Sequence, residues 1–485
     1  MSGDRDIERL LDRWLADGPD EVADRVVDHA LEIVERTTQR RAVRTPWRYI
    51  TMSKPARLAI AAAAVIVILG AGVLVVASRA SAPVVGGPRP TPTPAVTPAT
   101  TPAPTPTPAV TPAALASPTP APAAGSPGSM VNARAYQTAT LLPDGQVLLA
   151  GGINLVANNS TSLASAELFN PTTGLFSPTG SMTDARYFDT ATLLPDGRVL
   201  VVGGESDTQI FASAELYDPK TGTFSPTGSM TTVRDEQTAT LLADGRVLIA
   251  GGEDATGALA SAEIYNPQTG KFSATGSMTT PRLLHSAILL PDGDVLIVGG
   301  YASEGDNPMD GTDTSIGSAE LFNPKTGTFS ATGSMTTELG MPTLTLLPDG
   351  RVLVAGGCLN NSGQSFAALY DPKTGTFTET SSMSPRCLQT ATLLPDGEVL
   401  MAGGISVENQ PPSLASAELY DPQTGTFSPT GSMTAARAGQ TATLLPDGNV
   451  LIAGGDDGAL EGGNSLASAE LYNPQSGTFS PLSSQ

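Results

Sequence analysis

The amino-acid sequence predicts an all-β fold over residues 129–485, a seven-bladed β-propeller. A segment close to TATLLPDGxVLxAGG occurs seven times, and each copy ends in a diglycine. A second segment, close to SAELYxPxTGTFS, follows each copy after a spacer of variable length. The period of roughly 50 residues is the sequence signature of a repeat architecture.

Each repeat contains four predicted strands. TATLL and VLxAGG flank a PDG turn, and SAELY and TFS flank an NPxTG or DPxTG turn, in which glycine supplies the positive φ. Four antiparallel strands, repeated seven times, suit radial packing about a channel. The density of turns and of β-branched residues excludes a helical solenoid.

The spacing within each repeat resembles that of the Kelch repeat. In the second blade a diglycine ending at Gly204 precedes Tyr217, which is followed by six residues and then Phe224. Phenylalanine stands in every blade where the Kelch family usually has tryptophan. The resemblance covers residues 129–485 and implies a binding module rather than an enzyme.

Three regions precede the propeller. Residues 1–53 contain two amphipathic segments and are predicted to form a short helical cytoplasmic domain. Residues 58–78 carry no charge and are long enough for one transmembrane helix. Basic residues cluster before this helix, so the propeller is expected outside the cell. Residues 80–128, rich in Pro, Thr and Ala, are expected to form a disordered stalk.

The propeller is strongly acidic, with 13 Lys and Arg residues against 36 Asp and Glu residues. This charge disfavours nucleic acid and anionic membrane surfaces as partners. The charged partners that it favours are cations or basic surfaces.

Residue types argue against several kinds of catalysis. The copper radical enzyme galactose oxidase has a Kelch-like propeller and needs two histidines at its metal, whereas His285 is the only histidine in this propeller. A Ser-His-Asp triad has no supporting pattern either. We predict no catalytic residue and no required cofactor, although paired carboxylates for glycoside hydrolysis are not excluded by residue type.

Six blades carry a matched arginine and glutamate. The arginine lies shortly before the first strand and the glutamate at the start of the third, and the fifth blade has Leu339 and Ala368 in their places. Because both partners vanish together, we predict structural ion pairs. The predicted pairs are Arg134–Glu167, Arg186–Glu215, Arg234–Glu263, Arg282–Glu320, Arg386–Glu418 and Arg437–Glu470.

The repeats differ in length at one place, the loop between the diglycine and the third strand. In a four-stranded meander these loops share a face with the entry to the first strand, so we expect the binding surface there. The longest loop, Tyr301 to Gly317, contains Asp306, Asp310 and Asp313, whose oxygen donors make a calcium site one interpretation and a solvated acidic loop the other.

Two further predictions concern the connections between blades. Cys358 follows the diglycine of the fifth blade and Cys387 precedes the first strand of the sixth, so both are expected on the loop side of adjacent blades. They are the only cysteines, and an oxidising compartment favours a disulfide between them. The seven blades are complete, so we expect the ring to close by side-chain packing without strand exchange.

Three readings of function remain open. The leading one is a cell-surface-anchored propeller that binds an unknown protein or glycan through its loops. The alternatives are an extracellular carbohydrate-active enzyme or lectin-like protein with an acidic site, and a transmembrane sensor that signals through the N-terminal helices. The position of those helices resembles the cytoplasmic segments of bacterial anti-sigma factors, but the HxxxCxxC pattern is missing.

Overall fold

The structure is a computed structural model. It describes residues 128–156, 159–302, 314–359, 362–406, 413–458 and 463–482. The predicted cytoplasmic helices, transmembrane helix and stalk lie outside the described residues, apart from residue 128. Among the described residues, no helix is long and apolar enough to cross a membrane.

Seven four-stranded antiparallel sheets, one for each repeat, form the blades. The first strands are Thr138–Leu141, Thr190–Leu193, Thr238–Leu241, Ser286–Leu289, Thr343–Leu346, Thr390–Leu393 and Thr441–Leu444. The second strands are Val147–Ala150, Val199–Val202, Val247–Ala250, Val295–Val298, Val352–Ala355, Val399–Ala402 and Val450–Ala453. The third strands are Ala166–Asn170, Ala214–Asp218, Ala262–Asn266, Ser318–Asn323, Ala367–Asp371, Ala417–Asp421 and Ala469–Asn473. The fourth strands are Leu175–Pro178, Thr223–Pro226, Lys271–Ala274, Thr328–Ser334, Thr376–Glu379, Thr426–Pro429 and Thr478–Pro481.

The second strand of each blade forms the core because all its residues are apolar. A strand that is apolar on both faces is stable only when both faces are covered. In the second blade, Leu200 and Val202 pack against the third blade, while Val199 and Val201 pack against the first. The aromatic residues of the third and fourth strands add a tilted ring pair in every blade, such as Tyr217 and Phe224 with centroids 4.9 Å apart. Phenylalanine thus serves where the Kelch family usually has tryptophan.

The blades form a closed ring. The first strands of successive blades adjoin one another, and the first strand of the seventh blade adjoins that of the first. An apolar cluster fills this closing junction as it fills the others, with Leu149 and Phe169 of the first blade packed against Leu451 and Ala469 of the seventh. The first strands therefore surround the central channel.

The closing junction differs in one respect from the prediction. As expected, no strand is exchanged, because the four strands of each blade come from one continuous stretch. However, Met130 N donates to Ala467 O at 2.9 Å across the junction. Closure by side-chain packing alone is therefore wrong. The physical reason is general, since the segment before each first strand bonds to the preceding blade, as Met182 N does to Ala164 O.

The two ends of the described chain meet at this junction. Leu482 N donates to Ala469 O at 3.1 Å and so extends the fourth strand of the seventh blade. Gly128 lies so close to Leu482 that a Cβ on it would overlap the Leu482 carbonyl. Residues 128–130 thus occupy the position that residues 180–182 occupy in the linker between the first two blades.

Among the described residues, short hairpins follow the second strand in four blades, which the sequence did not predict. They pair Ile153–Val156 with Asn159–Ser162, Glu253–Asp254 with Gly257–Ala258, Tyr301–Ala302 with Thr314–Ser315, and Cys358–Leu359 with Ser362–Gly363.

Candidate binding face

The two ends of the blades differ in sequence and structure. At one end, the loop after the second strand meets the segment before the first strand, as where Ala135 bridges Ile153 and Tyr187 bridges Glu205. We call this end the loop face. The other end carries the PDG and NPxTG or DPxTG turns, and we call it the turn face. The structure therefore places all the loops of variable length at the entry to the first strands.

The diglycines make this close approach possible. Gly152 has φ 90°, and a Cβ on it would lie 2.8 Å from the carbonyl oxygen of Ala135. A side chain would therefore push apart the loop and the segment before the first strand.

The structure brings together all six predicted arginine–glutamate pairs. The N···O distances are 2.9 Å for Arg134–Glu167, 3.4 Å for Arg186–Glu215, 3.3 Å for Arg234–Glu263, 3.0 Å for Arg282–Glu320, 3.3 Å for Arg386–Glu418 and 2.9 Å for Arg437–Glu470. All six arginine side chains are fully buried.

Each arginine also holds the main chain of its own blade. Nη1 of Arg134 donates to the carbonyl oxygens of Gly151 at 2.7 Å and Ser165 at 3.0 Å. Val131 N donates to the Glu167 carboxylate at 2.8 Å. Burial lowers the pKa of Arg134, and the nearby Glu167 opposes this shift. These arginines fasten the loop to the blade, and their complete burial keeps them from contact with an external anion.

The fifth blade is built differently at the same place. Leu339 and Ala368 are both fully buried, and the disulfide Cys358–Cys387 joins this blade to the sixth with its Cα atoms 5.2 Å apart. Both cysteines lie in a buried apolar cluster with Tyr301. Two buried apolar residues therefore stand where the other blades have an ion pair, and the disulfide is an additional crosslink to the sixth blade.

A ring of left-handed residues surrounds the channel entrance on the loop face. Two residues after each arginine position, the chain adopts a positive φ. The residues are Tyr136, Phe188, Glu236, Leu284, Met341, Leu388 and Gly439, with φ between 51° and 60°. Main-chain bonds connect neighbours in this axial ring, for example from Met341 N to Leu284 O at 2.9 Å. Non-glycine residues in this region are strained and tend to mark functional sites.

Directly after the axial ring lies a polar position that reaches between blades. Gln137 is typical, since its Nε2 donates to Ala453 O of the preceding blade at 2.9 Å. Asp189 occupies this position in the second blade, and its carboxyl oxygens have no hydrogen-bond partner among the described residues. Burial raises the pKa of Asp189 to about 7, against the opposing field of Arg186.

On one side of the channel entrance, aromatic and acidic side chains lie together. Phe188 contacts Tyr136, with ring centroids 4.8 Å apart, and Tyr187, at 5.2 Å. Burial raises the pKa of Tyr187, and the fields of Glu205, Asp207 and Asp235 raise it further. We call five carboxyl-bearing residues of the second and third blades on this face, all buried except Asp207, the acidic arc. It comprises Glu205, Asp207, Asp235, Glu236 and Glu253.

A further carboxyl lies on the other side of the aromatic residues. Asp456 of the seventh blade is fully buried, and its Oδ1 accepts from Gly458 N at 3.2 Å. Its Oδ2 has no hydrogen-bond partner among the described residues. Burial raises the pKa of Asp456 to about 7. The field of Asp456 also adds to the burial that raises the pKa of Tyr136.

The turn face carries charges of both signs. Every Lys and Arg of the propeller outside the six buried pairs lies in or beside its turns: Arg198, Lys220, Arg246, Lys271, Lys325, Arg351 and Lys373. Grooves of about 700 and 820 Å³ separate the first three blades here. The grooves are lined by turn residues in which acids and bases already pair, such as Asp196 and Arg198 at 2.6 Å.

Comparison with known proteins addresses the fold. Residues 187–231, 238–279 and 439–484 match the family model for the Kelch motif. These motifs and the seven blades support a Kelch-repeat propeller. No curated protein matches the chain.

One similar solved structure is entitled a novel fungal alcohol oxidase with catalytic diversity among the AA5 family, in complex with copper. It is 19% identical to this chain, with a TM-score of 0.55, over 71% of this chain and 76% of the other. At this identity the likeness shows the fold alone.

The donor set of this propeller does not fit copper of that kind. His285 is its one histidine, and the ring is buried between the third and fourth blades with Nε2 2.9 Å from Thr238 Oγ1. Burial lowers the pKa of His285 to about 3, and Arg282 contributes to the shift. The side chain thus fills the same position between blades as Gln137.

The calcium interpretation concerns residues that the structure leaves undescribed. Asp306, Asp310 and Asp313 all fall within 303–313. Elsewhere, across the described parts of the blades, no group of three or more His, Cys, Asp or Glu residues has the geometry to hold a metal ion.

Sequence reasoning missed the axial ring, the acidic arc and Asp456. Most of these residues lie at two positions of the repeat that vary among the blades, next to positions that hardly change. That contrast within the repeats was visible in the sequence and was the signal available.

Proposed function

We propose that the Kelch propeller is a non-catalytic interaction module that binds a protein or glycan through its loop face. This proposal rests on the observation that the repeats differ in sequence mainly at their loops. The residue directly after the diglycine is Ile153, Glu205, Glu253, Tyr301, Cys358, Ile405 or Asp456 in successive blades. By contrast, the strands and turns are nearly identical from blade to blade. A rigid scaffold that varies only on one face is the arrangement expected of a binding surface.

The strained axial ring supports the same face. Six non-glycine residues hold a positive φ next to the channel entrance. Each such residue costs free energy of order 1–3 kcal/mol, which the surrounding structure must offset. Repetition of this cost at the centre of the loop face favours a functional role for the ring.

We further propose that residues 58–78 anchor the chain in a membrane with the propeller outside the cell and the N-terminus in the cytoplasm. The support is the uncharged stretch and the basic residues before it. Protease added to intact cells should cut between residues 80 and 128 and release the propeller. A propeller that stays protected from the protease would contradict this orientation.

The binding face can be tested by blocking one end of the blades. The described cysteines form the one disulfide of the chain, so an added cysteine supplies a unique thiol. Val156→Cys places it on the loop face and Leu175→Cys places it beside a turn, at residues that are 54% and 46% exposed. Each full-length variant is then coupled to a large polyethylene glycol chain.

Binding is measured with peptides selected from a random display library and with a glycan array. We expect ligands of the unmodified protein to be lost when position 156 is coupled and retained when position 175 is coupled. Ligands that persist in both conjugates, or an absence of any ligand, would overturn the proposal. Turnover of a bound glycan would overturn its non-catalytic part.

A further inference from the structure

Two kinds of hydrogen bond connect neighbouring blades next to the channel entrance. One is the main-chain bond between residues of the axial ring. The other comes from the polar residue that directly follows the ring. Four glutamines make this second bond, each from Nε2 to the last carbonyl oxygen of a second strand at 2.9–3.1 Å: Gln137 to Ala453, Gln237 to Val202, Gln389 to Ala355 and Gln440 to Ala402. Each glutamine thus holds the loop-face end of one junction.

The axial ring makes five of the seven main-chain bonds that a closed ring would have. The bonds are 2.9–3.4 Å long and come from the main-chain N of Tyr136, Glu236, Leu284, Met341 and Gly439, each to the ring residue of the preceding blade. In the described part of the chain, Phe188 N and Leu388 N make no such bond. The ring is therefore open between the first and second blades and between the fifth and sixth.

The two open junctions are secured to different degrees. Between the fifth and sixth blades, Gln389 donates to the preceding blade and the disulfide Cys358–Cys387 crosslinks the two. Between the first and second blades, Asp189 stands in the glutamine position, and its carboxyl oxygens have no hydrogen-bond partner among the described residues. Of the seven junctions in the described propeller, this one alone lacks both kinds of bond.

Asp189 is able to make the missing bond in only one of its protonation states. Its Oδ1 lies 3.3 Å from the Cβ position of Gly151 in the first blade. Nε2 of Gln137 lies in the same way beside Gly454, at 2.5 Å from the Cβ position. The corresponding carbonyl oxygen in this junction is that of Ala150. A protonated carboxyl can donate to it, whereas a carboxylate has no hydrogen to donate and sets a negative charge beside that oxygen.

The surroundings of Asp189 favour the protonated state. Burial raises the pKa of Asp189 to about 7, and the field of Arg186 opposes this rise. The other charged groups near this junction are already paired within their own blades: Arg186 with Glu215 and Asp184, Tyr187 with Glu205, and Arg134 with Glu167. No second cation among the described residues is therefore free to neutralise an ionised Asp189.

We propose that the junction between the first and second blades is a pH-dependent joint of the loop face, closed while Asp189 is protonated and released when it ionises. In the closed state Asp189 donates to Ala150 O. In the open state the carboxylate reaches water, and the rings of Tyr136 and Phe188, whose centroids are 4.8 Å apart, separate. The other open junction stays closed because of its disulfide. This joint goes beyond the proposed function, since it does not depend on which ligand the loop face binds.

The sign of the effect follows from the two pKa values of Asp189. In the closed state the pKa is about 7, and in the open state water restores a value near the ordinary 3.8. The closed state is therefore favoured below about 4 and loses this advantage as pH rises to about 7. Each pH unit in this range should favour opening by up to about tenfold.

The test measures how often the junction opens in the full-length protein. Ala150→Cys places a thiol in the apolar cluster between the first and second blades, at a residue that is fully buried. Ala453→Cys is the matched control, because it is the equivalent buried residue between the seventh and first blades, where Gln137 makes its bond. Each variant is pulsed with N-ethylmaleimide from pH 5 to pH 8, and labelling is followed by mass spectrometry. The ratio of the two labelling rates cancels the ionisation of the thiol itself.

We expect labelling at position 150, relative to position 453, to rise on the order of a hundredfold between pH 5 and pH 7 and then to level off. Asp189→Gln, added to Ala150→Cys, should keep the junction closed and make the ratio constant. A ratio that does not change with pH in Ala150→Cys would overturn the proposal, because global unfolding exposes both positions equally. A rise that persists with Asp189→Gln would overturn it as well.

Hydrogen exchange gives the same information without substitution, should a cysteine variant fail to fold. The main-chain N of Gly152 donates to Arg186 O across this junction, and that of Gly455 donates to Arg134 O across the control junction, both at 2.9 Å. After correction for the intrinsic exchange rates, exchange at Gly152 relative to Gly455 should increase between pH 5 and pH 7. A constant ratio would exclude a pH-dependent joint.

Discussion

The buried pair Arg282–Glu320 allows a quantitative test of how each blade holds its loop. Arg282 donates to Gly299 O at 2.8 Å and to Ser318 O at 3.1 Å, and pairs with Glu320 at 3.0 Å. Arg282→Leu leaves a carboxylate that is 1% exposed without its cation. Removing one partner of a buried ion pair costs about 3–5 kcal/mol.

The fifth blade supplies the compensating change. Arg282→Leu combined with Glu320→Ala reproduces the pair Leu339 and Ala368 that this blade contains. The double variant has no unpaired carboxylate, so it should be more stable than Arg282→Leu alone by about 1–3 kcal/mol. Two substitutions would then do less damage than one.

Urea unfolding followed by far-ultraviolet circular dichroism is the appropriate assay. Trp14 and Trp47 are the only tryptophans and precede the propeller, so their fluorescence does not report on it. Arg198→Leu is the matched control, because this arginine is 33% exposed in its pair with Asp196 and should cost less than about 1 kcal/mol. The reasoning fails if Arg282→Leu costs no more than this control. It also fails if the double variant is no more stable than Arg282→Leu.

Three further predictions concern other residues described above. Reduction of the disulfide Cys358–Cys387, which spans 29 residues, should lower the free energy of unfolding by about 3 kcal/mol, measured as a lower urea midpoint with reductant. An unchanged midpoint would count against a stabilising crosslink. Burial raises the pKa of Asp189 from 3.8 to about 7, so between these pH values the folded protein binds more protons than the unfolded chain. The free energy of unfolding should therefore fall by a few kcal/mol as pH rises from about 4 to about 7. Asp189→Gln, which installs the residue of Gln137, should flatten this dependence, and a variant that retains the full slope would exclude Asp189 as its origin. Gly340→Ala should destabilise by about 1–3 kcal/mol, since its Cβ would overlap the buried ring of Tyr301, and a wild-type urea midpoint would show that the ring has room to move.

The scaffold was predictable because the sequence states it seven times. Four strands per repeat, the turn types and the matched loss at Leu339 and Ala368 follow from aligning the repeats with one another. Repetition identifies what every blade needs, such as Arg282 beside Glu320. Alignment of the repeats also placed the variable loops at the entry to the first strands. The reason is that only the segment between the second and third strands changes in length from repeat to repeat.

The candidate site was not predictable in the same way. Tyr136, Phe188 and Asp456 come from different blades, and only closure of the ring brings the first, second and seventh blades together. The positive φ of Tyr136 is equally hidden, since aromatic residues do not by themselves indicate a left-handed conformation. The backbone bonds at the closing junction were missed because the repeat was treated as ending at its fourth strand, whereas the linker also bonds to the preceding blade.

Because Gly128 and Leu482 lie next to each other, the propeller can be circularly permuted. The junction where the described chain starts and stops uses the same kind of apolar cluster and linker bonds as the other six. The order of blades along the gene is therefore separable from their order around the ring. A chain joined across residues 482 and 128 and reopened in the linker at residue 276 would keep every neighbour relation between blades. Such a circular permutant would move the point of attachment to any N-terminal anchor halfway around the ring while the loop face stays intact.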